Sequence, residues 1–294
     1  MLAIIGPTAS GKSELAVEIA EKVGYSILSL DSLAVYKEVD ILSAKPTPEE
    51  RRGVPHYGID LLFPNQPFDI TKFISLFRQV QGEVGERVII VGGSGFYLKG
   101  LIEGLSPFPP ISPQIRKEAE KWNWDALSQI DPTFAKKISP SDRYRIRRGA
   151  EIYLATGLPP THYFQKNPPI KLLSKPLPIF EISLPREVLR ERIWKRTKKM
   201  FQRGIIDEVA YLEWKYRDRE LPSLKAIGAR EILDYFNGDY TRREVEEKIA
   251  VNTARLAKRQ TTFNRTQFPN RISLPPSQLK EAILESLKKS GGES

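Results

Sequence analysis

The chain has 294 residues, 40% of them hydrophobic, enough for one large α/β domain or a core domain carrying a smaller one. It holds no cysteine and two histidines, so a disulfide framework, a thiolate metal site and a histidine-rich zinc site are excluded. Lys and Arg total 46 against 36 Asp and Glu, a formal charge of +10, and such an excess favours a polyanionic partner because each neutralised phosphate releases counterions.

In chain order, residues 2–5 form an apolar run that predicts a buried strand entering a loop at Gly6-Pro7-Thr8. This start leaves no room for a basic leader with an apolar signal region, and no apolar run approaches the ~20 residues that span a bilayer. A cytoplasmic, monomeric protein with no membrane partner is expected. Leu15, Ala16, Ile19 and Ala20 give residues 13–21 a helical stripe. A second strand over 27–30 ends at Asp31-Ser32, and a third over 87–91 ends at Gly92-Gly93-Ser94-Gly95. Strands alternating with helices predict an α/β fold, a P-loop NTPase-like parallel sheet with helices on both faces. Ligands gather at the carboxyl ends of such strands, where these loops lie.

Composition changes at 106–113, whose prolines cannot continue a helix or pair as a central strand, and again over 167–178. Helical patterns at 116–124 and 143–155 lie between these stretches. The expected organisation is a core in two parts, 1–110 and 169–294, with a small helical domain inserted at 111–168. Residues 179–184 read as a returning strand, followed by long basic helices over 186–217 and 241–262. The polar tail after Lys288 is expected to be loose.

Gly6-Pro7-Thr8-Ala9-Ser10-Gly11-Lys12-Ser13 fits the phosphate-loop pattern and sits between a strand and a helix, the context such a match requires. Its glycines let backbone N–H groups converge on phosphate oxygens at a helix N-terminus. Lys12 adds a point charge, and the Ser13 hydroxyl is a ligand for Mg²⁺. The pattern specifies a phosphorylated ligand without saying whether it is a nucleotide. No second apolar strand ends in an Asp better suited to partner Mg²⁺ than Asp31. On these residues alone, a P-loop kinase of small molecules stays open.

Further stretches carry a family resemblance. Leu30-Asp31-Ser32-Leu33-Ala34-Val35-Tyr36-Lys37, Ser43-Ala44-Lys45-Pro46, Pro55-His56 and Val91-Gly92-Gly93-Ser94-Gly95-Phe96-Tyr97 occur in order. Ala226-Ile227-Gly228-Ala229-Arg230-Glu231 and Ala257-Lys258-Arg259-Gln260-Thr261-Thr262-Phe263-Asn264-Arg265 follow them. Together with the phosphate loop they resemble the tRNA dimethylallyltransferase family, over residues 3–268. The resemblance implies transfer of a dimethylallyl group from dimethylallyl diphosphate, with Mg²⁺, to the exocyclic amine of the adenosine just 3′ of the anticodon. It also implies that the phosphate loop holds diphosphate, and that the insertion and the C-terminal helices grip the tRNA anticodon stem-loop.

By the same resemblance Asp31 is the general base, Ser94 (commonly Thr) a catalytic hydroxyl, and Arg116 a further catalytic site residue. Gly6, Thr8, Ala9, Ser10, Gly11, Lys12, Ser13 and Arg196 bind diphosphate. The implied tRNA contacts are Asp31, Ser32, Leu33 and Ala34, then Tyr144, Arg145, Ile146, Arg147 and Arg148, then Lys225, Ala226, Ile227, Gly228, Ala229 and Arg230, and finally residues Lys258 to Arg265. Chemistry agrees on the central groups: a carboxylate can take the proton of a weakly nucleophilic amine, and a guanidinium stays charged while making paired bonds to phosphate. Arg192, Lys195, Lys199 and Arg203 share helical spacing with Arg196, a stripe that a merely solvated face would also produce. Ala229 and Phe263 stand where Tyr and Trp are common. The loss of an aromatic at 229 is expected to alter packing near the substrate path, and Phe263 still offers a face for stacking. His56 is expected to be structural.

Overall fold

The structure, a computed structural model, describes residues 1–291. Its elements are β1 (Leu2–Ile5), α1 (Lys12–Val23), β2 (Ser26–Leu30), α2 (Pro48–Arg51), β3 (His56–Tyr57), α3 (Ile70–Val84), β4 (Val88–Gly92) and α4 (Gly95–Glu103). Then come α5 (Pro113–Ala119), α6 (Trp124–Ile130), α7 (Pro132–Ala135), α8 (Arg143–Thr156), α9 (Pro160–Lys166), β5 (Ile179–Ile182) and α10 (Arg186–Gln202). The chain closes with α11 (Ile205–Tyr216), α12 (Ala229–Phe236), α13 (Arg242–Gln267), β6 (Ile272–Leu274) and α14 (Pro276–Gly291).

The chain forms two compact units, Met1–Lys99 with the chain from Lys175 onward, and Gly100–Ser174 between them. The second unit extends past the expected 111–168 on both sides. The reason is a tie where the chain enters and leaves it: the Ile170 N–H donates to the Leu105 carbonyl at 3.1 Å, an isolated antiparallel bridge.

In the first unit a parallel sheet has the order β3-β2-β4-β1-β5-β6. The central strands are unbroken apolar runs because both faces of a parallel sheet are covered. Leu2 and Ile4 pack with Ile19 of α1 and with Leu279 and Ile283 of α14. A second core joins Val35, Tyr36 and Leu42, after β2, to Phe201, Val209, Leu212 and Ile232 of the basic helical region. Register sets up the site. Ile5 of β1 and Leu30 of β2 both align with Gly92 of β4, so all three strands end on one line and release Gly6, Asp31 and Gly93 side by side.

The second unit is helical. Ser112 caps α5 and Asn123 caps α6, and the buried Asp131 caps α7 while accepting from the Thr161 N–H at 2.6 Å and its hydroxyl at 2.9 Å. Leu127, Ala135, Ile146 and Ala150 are fully enclosed.

Several expected elements differ. The pattern over 116–124 is two helices, since α5 stops at Ala119 and Asn123 starts a new one. The helix over 186–217 breaks after Gln202, where Gly204 adopts φ 92° and caps α11, a left-handed conformation that ends helices. The helix from 241 runs on to Gln267. The chain after Lys288 continues as helix to Gly291, and the rest of the expected loose tail lies outside the described residues.

Candidate active site

The aligned strand ends open onto a cavity of about 740 Å³, lined by Lys12, Ser13, Asp31, Ser94, Arg196 and Gln260 among others. Gly11, at φ 91°, turns the phosphate loop into α1, whose first residue is Lys12. Burial pushes the Lys12 ammonium down to about 8, with the neighbouring Arg196 charge adding to the effect and Asp31 opposing it. Arg196 is also lowered by burial, again opposed by Asp31. The three charges therefore feel one another in one enclosed space.

Helix α10 supplies two guanidinium groups to the loop. Arg196 donates from Nη1 to the Thr8 hydroxyl at 3.2 Å, and Arg192 donates to the Ser10 carbonyl at 3.0 Å. The Arg192 contact was not legible in the basic stripe. Lys195 instead pairs with Glu191 at 2.7 Å, Lys199 is exposed, and Arg203 lies past the helix as its C-cap. The Ser10 hydroxyl is buried with no hydrogen-bond partner. A second cavity of about 510 Å³ shares Lys12, Ser13, Ala44, Pro46 and Arg196 with the first, so the two hollows adjoin at the phosphate loop.

Asp31 accepts from the Leu33 and Ala34 N–H groups at 2.8 and 3.3 Å, both through Oδ1. These bonds hold the carboxylate on its turn and leave the lone pairs of Oδ2 for a ligand. The Ser94 N–H donates to the Leu30 carbonyl at 3.2 Å, which seats its hydroxyl-bearing residue against the end of β2.

The third side of the cavity is α13. Gln260, Phe263 and Asn264 lie at i, i+3, i+4 spacing and meet the Gly92–Gly95 loop and β5. A Cβ built on Gly93 would stand 2.4 Å from Gln260 Nε2, and one on Gly95 would stand 2.6 Å from the Phe263 ring. Asn264, 2% exposed, donates to Glu181 of β5 at 2.9 Å, and Glu181 also pairs with Arg271. Thr197, Met200, Ile249, Thr253 and Leu256 also line the cavity. Sequence reasoning missed these, although Thr197 and Met200 share the helical face of Arg196.

Comparison with known proteins decides the family. A family model described as IPP transferase matches residues 34–267, and one described as isopentenyl transferase matches residues 1–61. The chain belongs to the IPP transferase family. It is 57% identical to a tRNA dimethylallyltransferase of Nautilia profundicola over 98% of this chain and 100% of that one. A relative of the same description from Sulfurovum sp. is 47% identical over 97% of each chain. Among solved structures, the full-length tRNA isopentenylpyrophosphate transferase of Bacillus halodurans superposes with a TM-score of 0.72 at 29% identity, covering 99% of this chain and 97% of that one. A eukaryotic dimethylallyltransferase acting on tRNA superposes at 0.81 and 23% identity over 94% of this chain and 73% of that one, which bears on the fold.

The residues that resemblance to the IPP transferases assigned to tRNA divide by exposure. Ser32, Lys225, Arg230, Lys258, Arg259, Thr261, Thr262 and Arg265 are exposed, and Leu33, Ala226, Ile227, Gln260 and Phe263 are half-buried. Ala34, Gly228, Ala229 and Asn264 are buried, and of these Ala34 and Asn264 line the cavity. Ala229 sits in the core around Leu42 and Phe201, and Leu42 also lines the cavity, so the smaller residue bears on core packing beside the site. Phe263 packs edge-on to Phe268 at 6.1 Å while lining the cavity. His56 bonds the Val54 carbonyl at 2.7 Å, as a structural histidine should.

Arg116 and Tyr144 to Arg148 belong to the second unit. Tyr144 is exposed and Arg145 pairs with Asp142 at 3.3 Å, whereas the Ile146 side chain is buried. Arg148 is held at 2.7 Å by the buried Glu151 and stacks 3.4 Å from the Phe108 ring centroid, a packing role.

No group of acidic or histidine side chains suited to caging a metal occurs among the described residues. The Ser13 hydroxyl, exposed and lining both cavities, suits a Mg²⁺ that takes most of its oxygens from a diphosphate and water. No helix among the described residues is long and apolar enough to cross a membrane.

Proposed function

We propose that this chain transfers the dimethylallyl group of dimethylallyl diphosphate to the exocyclic amine of the adenosine immediately 3′ of the anticodon in tRNA. The observation that carries the reading is one cavity holding a phosphate loop, two half-buried cations at Lys12 and Arg196, and the Asp31 carboxylate at the next strand end. A kinase also needs the loop. The same cavity is also walled by Met200, Ile249 and Leu256, apolar side chains that suit a five-carbon tail.

The diphosphate lies on the loop N–H groups, Lys12 and Arg196. The adenine amine attacks the primary carbon as the carbon–oxygen bond breaks, and the electron pair leaves with diphosphate. The amine proton passes to Asp31 Oδ2, because Oδ1 is engaged by its own turn. Ser94 orients the amine. Mg²⁺, held by Ser13 and the substrate, would neutralise charge on the departing diphosphate. The preorganised cations stabilise charge that grows on the leaving group in an enclosed site, where such interactions are strongest. The adenosine must leave the stack to reach the cavity, which costs less in a loop than in a duplex. Exposed Lys258, Arg259 and Arg265 supply phosphate contacts that set register.

The test is incubation with radiolabelled dimethylallyl diphosphate, Mg²⁺ and unmodified tRNA. Label should enter at the adenosine beside the anticodon. Asp31→Asn, which keeps the Oδ1 cap but not the base, should slow transfer by about 10²- to 10⁴-fold. Absence of label, with γ-phosphate of ATP passing instead to a small acceptor, would establish the kinase reading.

A further inference from the structure

Gln260 lies on α13, far along the chain from both catalytic loops, and its side-chain amide joins them. Its Oε1 accepts from the Thr8 N–H at 2.8 Å, and its Nε2 donates to the Gly93 carbonyl at 3.1 Å. A carboxamide offers an acceptor and a donor without net charge, as bridging a backbone N–H to a backbone carbonyl requires. Thr8 is held from the other side by Arg196, through its hydroxyl, at 3.2 Å. The bare Cα of Gly93 is what admits the amide, since a Cβ there would stand 2.4 Å from Nε2. The helix carrying Gln260 is itself anchored one turn on, where the buried Asn264 bonds Glu181 of β5 at 2.9 Å.

We propose that Gln260 is a positioning residue that sets the spacing between the diphosphate on the phosphate loop and the amine at the Asp31–Ser94 edge. It touches neither reacting atom and acts through Thr8 and Gly93. Displacement requires nucleophile and leaving group in line and in near contact, and the two groups rest on loops from different strands. The amide makes those loops one rigid body. Anion binding does not depend on it, because Lys12 and Arg196 hold the diphosphate. The proposal rests on the transferase reading above.

The test is a double-mutant cycle on single-turnover rate and on KM for dimethylallyl diphosphate, using Gln260→Ala, Gly93→Ala and the double variant. Gln260→Ala should lower the rate about 100-fold with KM nearly unchanged, the signature of lost alignment. Gly93→Ala should do the same by displacing the amide. In the Gln260→Ala background the added methyl loses its close contacts, all three nearest atoms within 3.7 Å being the Gln260 amide, so Gly93→Ala should add less than about a twofold loss. The isosteric Gln260→Glu, which places a carboxylate against the Gly93 carbonyl, should also lose rate and not KM. Losses that multiply in the double variant, or that fall wholly in KM, overturn the positioning role. A wild-type protein that transfers no prenyl group overturns the transferase reading and this proposal with it; an active wild type with a multiplicative cycle overturns this proposal alone.

Discussion

In the loop after β1, Gly11 stands at φ 91° and no backbone lies close to its missing Cβ, whereas in the loop after β4 neither Gly93 nor Gly95 has a left-handed backbone. There a neighbour excludes the side chain: the Gln260 amide at Gly93 and the Phe263 ring at Gly95. The first loop uses glycine to shape a nest for an anion. The second uses it as a seat for a helix whose Gln260 lies 167 positions away. Similar composition therefore marks chemistry in one case and packing in the other.

The comparison predicts that the two loops fail differently. Lys12→Met should reduce kcat/KM by about 10³-fold while leaving Tm unchanged or raised, since a half-buried ammonium is replaced by an apolar group of similar length. A matching fall in Tm would make the first loop a packing element too. Gly95→Ala should do the reverse, costing about 1–3 kcal/mol of stability in urea unfolding because the Phe263 ring has to move. Full stability in that variant would remove the distinction.

Two smaller effects sharpen it. Lys12 is depressed to about 8, and diphosphate favours its protonated form. Affinity should be full below that pH and decline as pH rises through it, with KM increasing about tenfold per pH unit above about 8. A KM flat to pH 9.5 would remove Lys12 from the diphosphate site. Among cations, Lys258→Ala or Arg259→Ala should each lower the salt slope of tRNA binding by about 0.7 without loss of stability. Arg148→Ala should lower stability instead, because it leaves the buried Glu151 carboxylate with a weaker partner.

The sequence by itself determined the elements whose causes are local. The β1–loop–α1 unit reads directly because an apolar run, paired glycines and a helical stripe adjoin. Asp31 and Ser94 read as strand-end residues for the same reason. Only the tertiary structure decided which basic side chains matter at the site. Arg192 and Arg196 reach the phosphate loop while Lys195 faces Glu191, although spacing alone treats them alike. It also seated Asn264 against Glu181 and Ala229 in the core, and made Gln260 the bridge between two loops. The physical reason is that a side chain's role depends on what faces it, and in a parallel sheet what faces a strand end arrives from distant chain.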